Sequence, residues 1–230
     1  MVPAAAAVVL PRWWRIQFKG TPPIWKMFNH AGVDEVGRGC LFGPVVAAAV
    51  VLPVGGDEKL LEIGVTDSKL LTPFRREVLA RQIKVIATNY QIGVASTVEI
   101  DRLNILRASL LAMQRAVIKL QPIPTCCLVD GNQPIPGLSM EQKTWVKGDR
   151  ESVIIAAASI IAKVWRDDLM VRMDRRYPGY DLASNKGYGT QNHRDALQKL
   201  GSTPQHRSSF NFKSEQAIAT VASTKVSVED

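Results

Sequence analysis

The stretch PVVAAAVVLP, residues 44–53, limits the possible folds more than any other. Its apolar side chains fall at odd and even positions alike, so as a strand it must be covered on both faces. A chain of 230 residues, 46% of them hydrophobic, can supply that cover within one substantial domain. The preceding run, AGVDEVG at 31–37, is also β-rich, and the Gly-containing turn between the two predicts an antiparallel pair.

The cover is written downstream. Thr72 as a helix N-cap, Pro73 at the first helical position and apolar residues at Val78, Leu79, Ile83 and Ile86 predict a helix. TNYQIGVASTVEI reads as a third strand, and EIDRLNILRASLLAMQRAVIKL as a long amphipathic helix stopped by Pro122 and Pro124. Two short strands follow, TCCLVDG ending at Asp130 and KTWVKGD ending at Asp149. ESVIIAAASIIAKVWRDDLMVRMDRRY predicts a further helix, closed by Pro178-Gly179, and the rest reads as loop with one helix near DALQKLG. Strands first, then alternating helices and strands, give an α/β fold: a mixed sheet flanked by helices on both faces.

Charge narrows the partners. The formal net charge is +8, which favours a polyanion. Cys40 and the adjacent Cys126 and Cys127 are odd in number and lack metal-ligand spacing, so a reducing, cytoplasmic setting is expected. No apolar stretch approaches the ~18 residues a membrane span requires. Residues 1–29 lack the charged start of a secretory signal and read as a flexible extension; Trp13 and Trp14 lie within it.

Three of the predicted strands end in acids: Asp34-Glu35, Asp130 and Asp149. If those strands are neighbours, the carboxylates converge and cannot all ionise without a cation. Oxygen donors with no His or Cys beside them select Mg²⁺ or Mn²⁺. A pair of such ions about 4 Å apart is a recurring device for phosphoryl transfer. Successive strand residues point to opposite faces, so Asp34 and Glu35 share a site only if the strand ends or kinks there. Gly37 and Gly39 allow that, and Arg38 supplies positive charge. Each acid also has a plainer reading: Asp130 as a turn residue before Gly131, Asp149 as a helix N-cap, Asp34-Glu35 as surface charge.

The motifs AGVDEVGRG (31–39), GPVVAAAV (43–50), TDSKLL (66–71), LNILRASLLAMQRAV (103–117) and LVDGN (128–132) resemble ribonuclease HII. VKGD (146–149), AAASIIAKVWRD (156–167), NKGYGT (185–190) and HRSSF (206–210) continue the resemblance in order. It implies a ribonuclease H-like fold with a helical C-terminal region. The catalytic domain would then cover residues 30–213, followed by a polar tail at 214–230. It further implies a monomeric endonuclease that cuts RNA in RNA–DNA hybrids and 5′ of single ribonucleotides in duplex DNA. The ends would be 3′-hydroxyl and 5′-phosphate. By motif, Asp34, Glu35, Asp130 and Asp149 match the family's catalytic metal ligands for Mg²⁺ or Mn²⁺. Gly37, Arg38 and Gly39 match the loop that senses the ribose 2′-hydroxyl, and Tyr188 the residue that stacks on the neighbouring deoxyribose. Ser68 and Lys69 are expected to face phosphates.

The chain departs from the family pattern at Cys40, where proline is usual, and at Leu70, where lysine is frequent. The first would loosen the sensing loop and the second would remove a phosphate contact. Lys163 and Asp167, four apart on a helix, read as an ion pair, and Asp168 as solvated. His193 and His206 read as nucleic-acid contacts or loop supports. Two other classes share some of these features. A non-catalytic hybrid-binding protein gains nothing from acids facing a polyanion, and a phosphatase for small esters needs neither Arg38 nor Tyr188.

Overall fold

The computed structural model describes residues 30–210. The N-terminal extension, with Trp13 and Trp14, and the C-terminal tail lie outside the described residues. Five strands form one sheet: β1 (His30–Val36), β2 (Val45–Val51), β3 (Asn89–Ala95), β4 (Cys126–Asp130) and β5 (Glu141–Trp145). Their order across the sheet is β3-β2-β1-β4-β5. β2 runs antiparallel to both β1 and β3, while β1, β4 and β5 are parallel.

The helices are α1 (Gly56–Glu62), α2 (Pro73–Ile86), α3 (Thr97–Leu103), α4 (Ile105–Val117) and α5 (Gly148–Glu151), then α6 (Val153–Arg176), α7 (Leu182–Asn185) and α8 (Gln191–Leu200). A short 3₁₀ turn spans Ser68–Leu70. No helix among the described residues is long and apolar enough to cross a membrane.

All seven residues of β2 are buried, as its two-sided apolar pattern requires. Strand alternation sends Ala31, Val33, Val45, Ala47 and Val129 to one face, against Ala108, Ala112 and Met113 of α4. Ala48, Val50, Cys126 and Leu128 face the other way, against Ile154, Ala158 and Ile161 of α6 and Leu79 and Ile83 of α2. Cys126 and Cys127 thus serve opposite faces, and all three cysteines are buried and unpaired. At Gly32 a Cβ would run into the Ile154 carbonyl, so the start of α6 lies directly on β1. A third cluster, built from Phe42, Met170, Tyr180, Leu182 and Leu197, attaches α7 and α8 to the outer half of α6.

Three expectations need correction. The segment expected as one long helix is two: Asn104 takes φ 72° and ψ 164° between α3 and α4, and its side chain caps α4 through Arg107 N–H. The third strand stops at Ala95, because Ser96 and Glu99 form a reciprocal capping box that starts α3. β5 stops at Trp145, so Asp149 stands in α5 rather than at a strand end. α2 begins as read, with the Thr72 hydroxyl accepting from Arg75 N–H and Pro73 following it.

Candidate active site

The site forms where β1 and β4 end side by side. Their parallel register pairs Val33 with Val129, which sets Asp34 and Asp130 as the next neighbours across the ladder. β1 ends one residue past Glu35, and Gly37 follows with φ 89°, a region that only glycine adopts without strain. The ligand oxygens of Asp34, Glu35 and Asp130 all lie within 4.8 Å of one another. The strand end therefore reconciles adjacent residues with one site. The ends of parallel strands are also the usual position for ligands in such sheets.

Backbone and hydroxyl donors hold the carboxylates. Asp34 is 4% exposed and takes the Glu35 N–H at 2.7 Å. The Ser159 hydroxyl of α6 stands near enough to favour its charged form. Asp130 accepts Gly148 N–H at 2.7 Å, so α5 braces it. Arg38 Nη1 sits 3.1 Å from Glu35 Oε1.

Burial lifts the Asp34 carboxyl well above its ordinary range, and the charges of Glu35 and Asp130 lift it further. Burial also raises Glu35, against the opposing pull of Arg38, and raises Asp130, against the Gly148 N–H. Three acids that all resist ionisation, offering hard oxygens with no imidazole or thiolate among them, fit a hard divalent cation.

Asp149 stands beside this triad. It is buried, its charge raises Asp130, and Lys69 Nζ holds one of its oxygens at 2.9 Å. Lys69 rides on the 3₁₀ turn, which Asp67 caps by accepting Lys69 N–H at 2.9 Å. Ser68 points inward, 5% exposed, with its hydroxyl 3.0 Å from that of Ser159. Its hydroxyl is thus turned to α6, whereas Lys69 is exposed.

The Gly37-Arg38-Gly39 loop meets the Tyr188 loop on the other side. Cys40 bridges to Tyr188, and Leu41 N–H donates to the Gly187 carbonyl at 2.8 Å. Tyr188 is 39% exposed, and Lys163 Nζ stands 5.7 Å from its ring centroid. Lys163 also pairs with Asp167 at 2.8 Å, as expected, and Asp168 is exposed.

His193 and His206 are buried 3.2 Å apart, and His193 Nδ1 reaches the Tyr188 carbonyl at 2.9 Å. Burial lowers both, His206 to about 4, so both are neutral at physiological pH. They support the loop.

Two residues that the sequence did not single out tie these loops together. Arg166 Nη1 donates to Lys186 O at 2.7 Å and Arg166 Nη2 to Phe42 O at 3.0 Å. Arg207 Nη2 donates to Gly37 O at 2.6 Å and Arg207 Nη1 to Arg38 O at 2.7 Å. The bonds of these two arginines hold the loop on either side of Cys40. The only signal in the sequence was their place inside the motifs AAASIIAKVWRD and HRSSF.

The chain is similar to known proteins. The family model described as Ribonuclease HII matches residues 31–213. A ribonuclease HII of Acaryochloris marina is 64% identical over 180 residues, covering 78% of this chain and 91% of the relative. One from Trichormus variabilis is 58% identical over 190 residues, 82% of this chain and 84% of its own. Among solved structures, the ribonuclease H2 of Pyrococcus horikoshii OT3 superposes with a TM-score of 0.68 at 28% identity. That match covers 80% of this chain and 94% of the archaeal one. A strand-end carboxylate triad on this sheet, matched over nearly all the described residues, leads to one assignment: the chain belongs to the ribonuclease HII family, endonucleolytic hydrolases of the ribonuclease H class.

Proposed function

We propose that this enzyme cuts the RNA strand of RNA–DNA hybrids and nicks duplex DNA 5′ of single embedded ribonucleotides, using two divalent cations and leaving 3′-hydroxyl and 5′-phosphate ends. The observation that carries the reading is the meeting of Asp34, Glu35 and Asp130 within 4.8 Å beside a glycine loop and an exposed tyrosine. A small-ester phosphatase would need the triad alone.

Asp34, Glu35 and Asp130 would hold one cation between them, and Asp149 would contribute to the second. Bound Mg²⁺ or Mn²⁺ supplies charge neutralisation at the scissile phosphate and a water of lowered pKa. Lys69, 72% exposed at its side chain, is free to exchange Asp149 for a substrate phosphate. Ser68 stiffens the turn beneath it. Gly37, Arg38 and Gly39 read the 2′-hydroxyl that separates RNA from DNA, and the Tyr188 ring stacks on the following deoxyribose. Every group invoked comes from one chain, so a monomer suffices. The +8 charge draws in the duplex over a distance.

The test is a nicking assay on a duplex carrying one ribonucleotide, with Mg²⁺ or with chelator, and with the cut position mapped. A metal-dependent nick on the 5′ side, absent from all-DNA duplex, is expected. Tight binding without metal-dependent nicking would overturn the reading.

A further inference from the structure

Arg207 is fully buried, with its guanidinium 5.0 Å from the Phe210 ring centroid. Its guanidinium is spent on three backbone carbonyls: Gly37 at 2.6 Å, Arg38 at 2.7 Å and Gly43 at 3.0 Å. Burying a charge with carbonyl and ring partners, and no carboxylate paired to it among the described residues, costs desolvation, so the geometry it imposes calls for an explanation. Both peptide units between Gly37 and Gly39 are trans, and in a trans unit the N–H points opposite to the C=O. With the Gly37 and Arg38 carbonyls drawn inward, the Arg38 and Gly39 N–H groups face outward. Arg38 and Gly39 are exposed, and neither N–H has a partner among the described residues.

We propose that Arg207 is a positioning residue for ribose recognition: its guanidinium sets the two peptide planes so that the Arg38 and Gly39 N–H groups form a fixed pair of donors for a sugar hydroxyl. This rests on the reading of that loop as the ribose sensor. The planar fork explains why arginine stands here, since one ammonium cannot meet three carbonyls in fixed directions.

The neighbourhood is built to keep the fork still. Asp101 accepts Ser208 N–H at 3.0 Å, the Ser208 hydroxyl at 2.8 Å and Ser209 N–H at 2.9 Å, which clamps the residues directly after Arg207 onto α3. Arg166 holds the far side of the same loop through Phe42 and Pro44. A Cβ on Gly37 would collide with the Arg166 side chain, so the loop has no room to flip inward.

The experiment measures binding in an Asp130→Asn background, which prevents cleavage. Dissociation constants are compared for a single-ribonucleotide duplex and the same duplex in DNA, with and without Arg207→Lys or the near-isosteric Arg207→Met. Each variant should lose about tenfold of the ribonucleotide preference, the scale of one hydrogen bond, while all-DNA binding stays as it was. A residue serving stability alone would lower Tm and weaken both duplexes together. A folded Arg207→Lys with full preference overturns the proposal.

If neither variant folds, the wild-type amide resonances decide. Arg38 and Gly39 N–H must shift with the ribonucleotide duplex and stay still with DNA, and unresponsive amides overturn the proposal. Wild-type protein that fails to nick at all would instead sink the functional reading, so the two failures are distinguishable.

Discussion

Single carboxylates dominate the behaviour of this molecule at the residue scale. Asp34 stays protonated to higher pH in the folded protein than in the unfolded chain, because burial and two neighbouring acids oppose its charge. The folded state therefore binds more protons above the ordinary carboxylate range, and stability falls as pH rises through that window. Asp34→Asn removes this loss. The metal-free variant should melt several degrees above wild type near pH 8, given that about 1 kcal/mol moves Tm by about 2–4 °C at this size. The gap should close toward pH 4, where wild-type Asp34 is protonated anyway. Mn²⁺ should raise the wild-type Tm and leave the variant unmoved; an equal rise in both would contradict the assignment. The triad was legible because acids ending apolar strands are conspicuous. Arg166 and Arg207 were not. A buried arginine looks like a surface charge in sequence, and its carbonyl partners lie 122 and 170 residues away.

Legibility at the scale of elements followed the strength of local signals. The two-sided burial of β2 and the capped start of α2 were plain. The β-branched Thr97 and Val98 argued for strand, but the Ser96–Glu99 capping box won and made α3. Asp149 was displaced from its expected strand end because Gly148 N–H is needed to brace Asp130, which closes the chain into α5. The approach of α6 to β1 belongs to this scale too. Gly32→Ala places a methyl where the Ile154 carbonyl lies, and it should cost about 1–3 kcal/mol, the usual range for overpacking. Because α6 carries Ser159 against Asp34, nicking activity should drop with stability. A variant with wild-type Tm and activity would show that the helix can yield there.

Taken whole, the molecule is a sheet that presents acids, joined to a C-terminal region that holds the loops beside them. Asp101 is the principal fastening between α3 and residues 208–209. Burial would raise its carboxyl, but the Ser208 and Ser209 donors overcome that and hold it below its usual range. Asp101→Ala should lower Tm and reduce ribonucleotide preference while leaving the Mn²⁺-induced rise in Tm intact, since the triad lies in β1 and β4. Loss of the metal response would mean the two halves are coupled more tightly than their contacts indicate. The sheet half was readable from periodicity. The fastening was not, because Asp101 and Ser208 are 107 residues apart and no local pattern pairs them.

The central claim is that Asp34, Glu35 and Asp130 act together as a seat for a divalent cation. Calorimetric titration of Mn²⁺ into wild type and into folded Asp130→Asn tests it most directly. Saturable binding in wild type, weakened at least about tenfold in the variant, is the predicted result; equal affinity in the two proteins would contradict it.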